Sequence, residues 1–138
     1  MAVKITLSPT AIMPKLATPG SSGYDLYAPD DVLVEAGTIV VIHSGVSIEM
    51  DLWMEGQVRG RSSMNKRGRV VLLGTIDSDY RGVIGATVHN VTTAHQVIRR
   101  GERFAQLVFS DLMRQPLVVV DELTPTERGT GGFGSTGV

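Results

Sequence analysis

The sequence predicts an all-β domain, a sandwich or a barrel, and three observations carry that prediction. Of its 138 residues, 38 are Val, Ile or Thr, side chains that are stiff at χ1 and suit a pleated, half-buried surface. Short apolar runs recur along the chain with turn residues between them. No helical period of useful length interrupts them. A chain of this length holds one core.

In chain order, strands are expected at 3–7, 31–34, 38–42, 46–50, 70–73, 83–90, 96–99, 104–109 and 117–121. Pro19-Gly20, Ala36-Gly37, Ser44-Gly45 and Arg100-Gly101 fall between runs, where glycine and proline punctuate turns. Ser62-Ser63-Met64-Asn65-Lys66 is the exception, one or two helical turns with a serine as cap and Gly68 as terminator. Segment 74–82 reads as the overlong tip of a hairpin between the runs at 70–73 and 83–88. From Glu127 onward five of twelve residues are Gly and no apolar period continues, so the tail has nothing to bury and is expected to be mobile alone. The predicted organisation is a β domain at 1–126 and a glycine-rich tail at 127–138.

Composition narrows the function. Thirteen basic residues against fourteen acidic ones leave a formal charge of −1, which gives no field for a bulk polyanion, so no nucleic acid is expected as partner. No cysteine is present, which excludes disulfides, thiolate metal sites and a Cys nucleophile and fits a reducing compartment. The longest apolar runs have four residues, far short of the ~20 that span a membrane. Cytoplasm is the default location, or the host cell's cytoplasm or nucleus if the gene is viral or phage-borne. Arginine outnumbers lysine ten to three, a skew toward the planar fork that grips phosphate and carboxylate, or toward surface ion pairs.

Four polar segments stand out. Ser21-Ser22-Gly23-Tyr24-Asp25-Leu26 puts an Asp into a nascent strand, and on its own it reads best as a turn carboxylate bonding its own backbone. Gly60-Arg61-Ser62-Ser63 sets a guanidinium and two hydroxyls at a helix start, equally an anion site or plain capping. Asp77, Asp79, Tyr80 and Arg81 make the hairpin tip more charged and aromatic than a turn requires. The tail, Arg128-Gly129-Thr130-Gly131-Gly132-Phe133-Gly134-Ser135-Thr136-Gly137, lacks the Gly-Lys-Ser/Thr ending of a P-loop. It is either a disordered terminus or a strip that folds over a nucleotide, with Phe133 stacking on a base and Arg128 on phosphates. His43, His89 and His95 lie on strand-like segments without metal-ligand spacing and are assigned to the framework. Trp53 and the six methionines are assigned to the core or an interface.

Together with Arg100-Gly101-Glu102-Arg103-Phe104-Ala105-Gln106-Leu107, these segments resemble, in order and spacing, the five motifs of the trimeric dUTPase family over about 21–137. Ser22 stands where alanine is common and Gly60 where proline often precedes the Arg. The resemblance implies a jelly-roll-like β domain that forms a homotrimer with active sites shared among the chains. It implies hydrolysis of dUTP to dUMP and pyrophosphate with Mg²⁺, which limits uracil incorporation into DNA and supplies dUMP for dTMP synthesis. Asp77 falls on the base that activates water against the α-phosphorus, and Tyr80 on the aromatic that leaves no room for a 2′-hydroxyl. The strip from Gly74 through Ile76 to Gly85 falls on the hairpin that pairs with the uracil edge. Asp25 falls on the acid that engages the metal through its bound water, and Arg61, Ser62, Ser63 and Gln106 on phosphate contacts. Arg128, Phe133, Ser135 and Thr136 fall on the closing tail, Phe133 over the base and the others near the γ-phosphate. The rival readings are a dCTP deaminase-like enzyme of the same fold and a nucleotide-sensing trimer that binds a regulatory protein. Asp77 in an Ile-Asp-Ser-Asp-Tyr setting, with a complete fifth motif, favours the diphosphatase.

Overall fold

A computed structural model describes residues 2–137. Among them are twelve strands and one short helix: β1 (Lys4–Leu7), β2 (Lys15–Leu16), β3 (Tyr24–Tyr27), β4 (Val32–Val34), β5 (Ile39–His43), β6 (Val46–Glu49), β7 (Met54–Arg59), α1 (Ser62–Lys66), β8 (Arg69–Val71), β9 (Gly74–Ile76), β10 (Gly85–Asn90), β11 (Gln96–Ile98) and β12 (Arg103–Asp111). The all-β expectation therefore holds. A five-stranded sheet in the order β2-β3-β12-β7-β9 packs with a three-stranded sheet β5-β10-β8 and the pairs β1-β6 and β11-β4. The core between them is mostly aliphatic around one buried aromatic, Phe104, with Leu26, Ile42, Ile84, Ile98, Val58 and Val88. Strand alternation shows directly: Gly85–Asn90 buries every second residue, Ala86, Val88 and Asn90.

Four local expectations need correction. First, 117–121 is no strand. Leu117 and Val119 are 99% exposed, because after Asp111 the chain leaves the sheet and finds no strand to pair with on its own domain. Only the root of this arm is tied down, Leu112 N–H donating to Trp53 O and Arg114 Nη1 to Leu52 O. Second, β7 lies unforeseen in the middle of the large sheet, between β12 and β9. One of its inward positions is Gly56, where a Cβ would meet Ile76 Cβ at 3.2 Å and Leu107 Cδ1 at 3.3 Å. The close approach of the two neighbours removes the apolar side chain that would have marked the strand.

Third, segment 74–82 is more than a hairpin tip. β8 and β10 do pair, Val71 opposite Val88, but between them β9 crosses to the other sheet and pairs with β7. Fourth, no serine caps α1. Its N-cap is Arg61, with no side-chain cap bond, so the hydroxyls of Ser62 and Ser63 are not used up by the helix. Gly68 ends it as expected, with φ +73° and its N–H on Asn65 O.

Candidate active site

The large sheet brings Asp25, Arg61, Ser62 and Gln106 around one cavity of about 210 Å³, with Ser21 and Gly23 on its rim. Register explains the grouping. Asp25 on β3 sits opposite Gln106 on β12, and Gln106 opposite Arg59 at the end of β7, just before the turn into α1. Asp25 is 5% exposed, and its carboxylate is ion-paired to Arg61, Oδ1 to Nε at 2.9 Å, and accepts a hydrogen bond from Arg103 Nη1 at 3.2 Å. A buried carboxylate is tolerated when it is paired in this way. Arg61 Nη1 donates to Ser63 Oγ and to Arg103 O, both at 3.3 Å, which holds the guanidinium beside the serines. Gln106 Nε2 donates to Gly60 O at 3.0 Å and fixes the turn before the helix.

Ser63 separates from its neighbour. It lines an adjoining cavity of about 320 Å³ on the other side of Arg61, with Arg67 and Arg103. Arg103, absent from the sequence-based candidates, thus joins Arg61, and the two guanidiniums share one carboxylate. Its signal lay in the fourth motif, but only the irregular register between Arg103 and Ala105 turns it toward Asp25.

The residues present fit a hydrated divalent cation rather than a protein cage for one. Among the described residues no cluster of three or more His, Cys, Asp or Glu is placed to hold a metal. Each Asp25 oxygen faces one guanidinium nitrogen and keeps lone-pair capacity for a further donor. One carboxylate beside a cavity lined by anion-binding donors is the set with which Mg²⁺, reluctant to shed water, binds together with phosphates.

A second cavity, about 300 Å³, lies where β5, β9 and β10 meet, and Gly74, Ile76, Asp77 and Tyr80 line it together with Val41 and His43. Tyr80 is braced: its hydroxyl donates to Val83 O at 3.2 Å, and its ring lies where a Cβ on Gly82 would stand. The ring can therefore present a fixed face to the cavity. His43, assigned to the framework from the sequence because a lone strand histidine carries no spacing signal, lines this cavity.

The two cavities stand apart on one chain. β3 and β9 are separated in the sheet by β12 and β7, and at ~4.8 Å per strand and ~3.3 Å per residue the backbones at Asp25 and Asp77 lie roughly 15–20 Å apart. The tail residues reach neither cavity. Phe133 is fully exposed with φ +44°, Arg128 Nε donates to Gly131 O at 2.8 Å, and the tail's other backbone bonds span three residues each.

Among the described residues no helix is long and apolar enough to cross a membrane. Comparison with known proteins supplies the rest of the context. The family model for dUTPase matches residues 10–137. The deoxyuridine 5′-triphosphate nucleotidohydrolase of Helicobacter pylori strain Shi470 is 37% identical over 142 aligned positions that cover 100% of this chain and 98% of that one. The enzyme of the same name from Paramecium bursaria Chlorella virus 1 is 39% identical, covering 94% of this chain and 92% of its own. Among solved structures, the Staphylococcus bacteriophage 80alpha dUTPase with dUPNHPP superposes with a TM-score of 0.95 at 26% identity, covering 99% of each chain.

Proposed function

Because the chain belongs to the dUTPase family, we propose that it hydrolyses dUTP to dUMP and pyrophosphate. The observation that carries the reading is the division of labour between the cavities. One, walled by hairpin backbone with Asp77 and a braced Tyr80, suits a nucleoside. The other, with Arg61, Ser62 and Gln106 around Asp25, suits a phosphate chain.

In this reading backbone donors and acceptors of the strip from Gly74 through Ile76 to Gly85 pair with the uracil edge. Cytosine, whose exocyclic amine reverses that pattern, would leave a buried group unpaired. The fixed ring of Tyr80 packs on the deoxyribose and fills the space of a 2′-hydroxyl. A 5-methyl group alone is discriminated by only ~1–3 kcal/mol in a pocket with slack, so rejection of dTTP rests on the hairpin being clamped by β7 on one side and β5 on the other. Asp77 accepts a proton from the water that attacks the α-phosphorus, a contribution of ~10²–10⁴ in rate. Arg61, Ser62, Ser63 and Gln106 position the phosphates and neutralise their charge. Asp25 holds the water shell of Mg²⁺, which when bound supplies further neutralisation of the phosphate oxygens.

Asp77 and Asp25 stand too far apart on one chain to act on one α-phosphorus and its metal, which supports a site completed by further copies. The bare arm points the same way, since Leu117, Val118, Val119 and Val120 are exposed on their own domain and another copy can cover them. The reading is therefore a homotrimer with shared sites, in which the tail at 127–138 is a lid. Arg128, Ser135 and Thr136 close on the γ-phosphate and Phe133 on the base, excluding water.

The test is to offer the purified protein dUTP, UTP, dTTP and dCTP with Mg²⁺ and to assay pyrophosphate and ammonia, with light scattering for assembly. Pyrophosphate from dUTP in strong preference, from a particle of three chains, is expected. Ammonia from dCTP would establish the deaminase chemistry instead, and a fully active monomer would refute the shared site.

A further inference from the structure

Strand β5 brings to the nucleoside cavity two side chains that lie outside the five motifs, Val41 and His43. Ile42 is buried between them, and the two-residue period turns its neighbours outward, away from the core. The antiparallel register with β10 sets His43 opposite Gly85. A Cβ at Gly85 would stand 3.1 Å from Val41 Cγ1 and 3.2 Å from His43 Nδ1. Any larger residue there would crowd the imidazole, so the glycine is what leaves the ring open to the cavity.

The three histidines are not equivalent. His95 is tied into the framework, its Nδ1 accepting the Ala36 N–H at 3.1 Å. His89 sits inside β10, between Ile39 and Val70 on the flanking strands. His43 alone lines the cavity with Asp77 and Tyr80, and its side chain is in no hydrogen bond among the described residues. A neutral imidazole carries one donor and one acceptor, and here both are unspent at the wall of a pocket shaped for a base.

Resting on the dUTPase reading, we propose that His43 is a substrate-contacting residue, its ring N–H donating to a carbonyl oxygen of an oxo-pyrimidine while Val41 and the ring edge close the side of the pocket. The contact is made alike in the bound substrate, the transition state and the product, so it is expressed in KM and not in kcat. It gives the base pocket a side-chain donor beside the backbone groups of the hairpin.

The experiment compares wild type with His43→Ala and His43→Gln in steady-state hydrolysis of dUTP and in calorimetric titration with dUMP. Thermal melting and light scattering verify fold and assembly. In His43→Ala, KM and the dUMP Kd are expected to rise about 3- to 10-fold, the size of one lost neutral hydrogen bond, with kcat within about 2-fold. His43→Gln, which retains an N–H donor, is expected to recover most of that loss. Should His43→Ala lose its melting transition, His43→Leu carries the same expectation. A folded variant lacking the donor whose KM and Kd match wild type overturns the proposal, and so does a collapse of kcat at unchanged KM. A wild type that leaves dUTP intact is a different failure, that of the dUTPase reading itself, and is read without any variant.

Discussion

The hairpin region 74–85 and the tail 127–137 are built from nearly the same chemistry, glycines, hydroxyls, an arginine and one aromatic ring, yet they are supported in opposite ways. The hairpin is held by β9 on β7 and by β10 on β5 and β8, and its aromatic is pinned by a bond to Val83 O. The tail is held by bonds within itself, and its aromatic is bare. Ordering a residue costs about 1–2 kcal/mol in backbone entropy. In the hairpin that cost is met when the protein folds, so the groups are in place before a ligand arrives. In the tail only a ligand or a neighbouring chain can meet it. A preformed segment and one left to be ordered by something else are thus told apart by what lies beside each, not by composition.

The largest effect expected to sharpen this contrast is on the preformed side. Asp77→Asn keeps the shape and removes the proton acceptor, so kcat for dUTP is expected to fall at least about 10²-fold while affinity for a non-hydrolysable analogue stays near wild type. Single-turnover kinetics with analogue titration checks both. A variant that lost binding and kept its turnover number would make Asp77 a ligand contact, and the hairpin would no longer be the chemical half of the pair.

On the tail side, a chain ending at Thr126 removes no buried residue among those described. Melting temperature and assembly are expected to hold, while kcat/KM for dUTP falls severely as water exclusion and phosphate clamping are lost. Phe133→Ala isolates the stacking component, for which a loss of ~1–3 kcal/mol in nucleotide affinity is expected. Undiminished activity in the truncated protein would break the comparison outright, since the tail would then be no lid.

Glycine itself offers a smaller and purely structural test. Gly56 faces β9, with Ile76 Cβ 3.2 Å and Leu107 Cδ1 3.3 Å from the place of a Cβ, whereas nothing lies within 4 Å of one at Gly132. Overpacking a core typically costs ~1–3 kcal/mol, so Gly56→Ala is expected to destabilise by about that much in urea unfolding and Gly132→Ala to leave stability unchanged. Equal effects at both sites would mean that the tail is packed as firmly as the sheet.

Much of the fold was legible because half-buried strands advertise themselves by alternation, as Gly85–Asn90 does. Met54–Arg59 was not, since one of its inward positions is a glycine chosen by the neighbours' proximity. The run at 117–121 misled for the opposite reason: an apolar stretch reads the same whether or not its own domain covers it. Around the two cavities, the sequence marks the motif residues but not two of their neighbours. Arg103 reaches Asp25 through a register shift in β12, and His43 reaches the nucleoside cavity through its pairing with Gly85. Both are consequences of strand register, which is a relation between distant segments and leaves no mark at the residue itself.

All of these comparisons require a pH at which the framework is intact, and Asp31 sets the smallest expected effect. Its carboxylate accepts the Arg100 backbone N–H at 2.8 Å and an Arg99 guanidinium N–H at 2.9 Å, joining the start of β4 to the turn after β11. The backbone bond first, and the Arg99 side chain second, hold its pKa below the ordinary value of 3.8. A carboxyl whose folded pKa is depressed contributes stability that is complete above its unfolded pKa and is lost as pH falls through the folded one. Glu49, lowered by Lys4 across the β1–β6 pair, acts in the same sense from an ordinary value of 4.5. Both groups are exposed, so screening keeps each contribution small. The melting temperature of Asp31→Asn is therefore expected to lie slightly below wild type at neutral pH, with the gap closing as pH drops below about 4. Thermal melts at a series of pH values in low salt check it. A gap that widened in acid would reverse the sign and show that the unfolded chain, not the turn after β11, holds the Asp31 carboxylate more strongly.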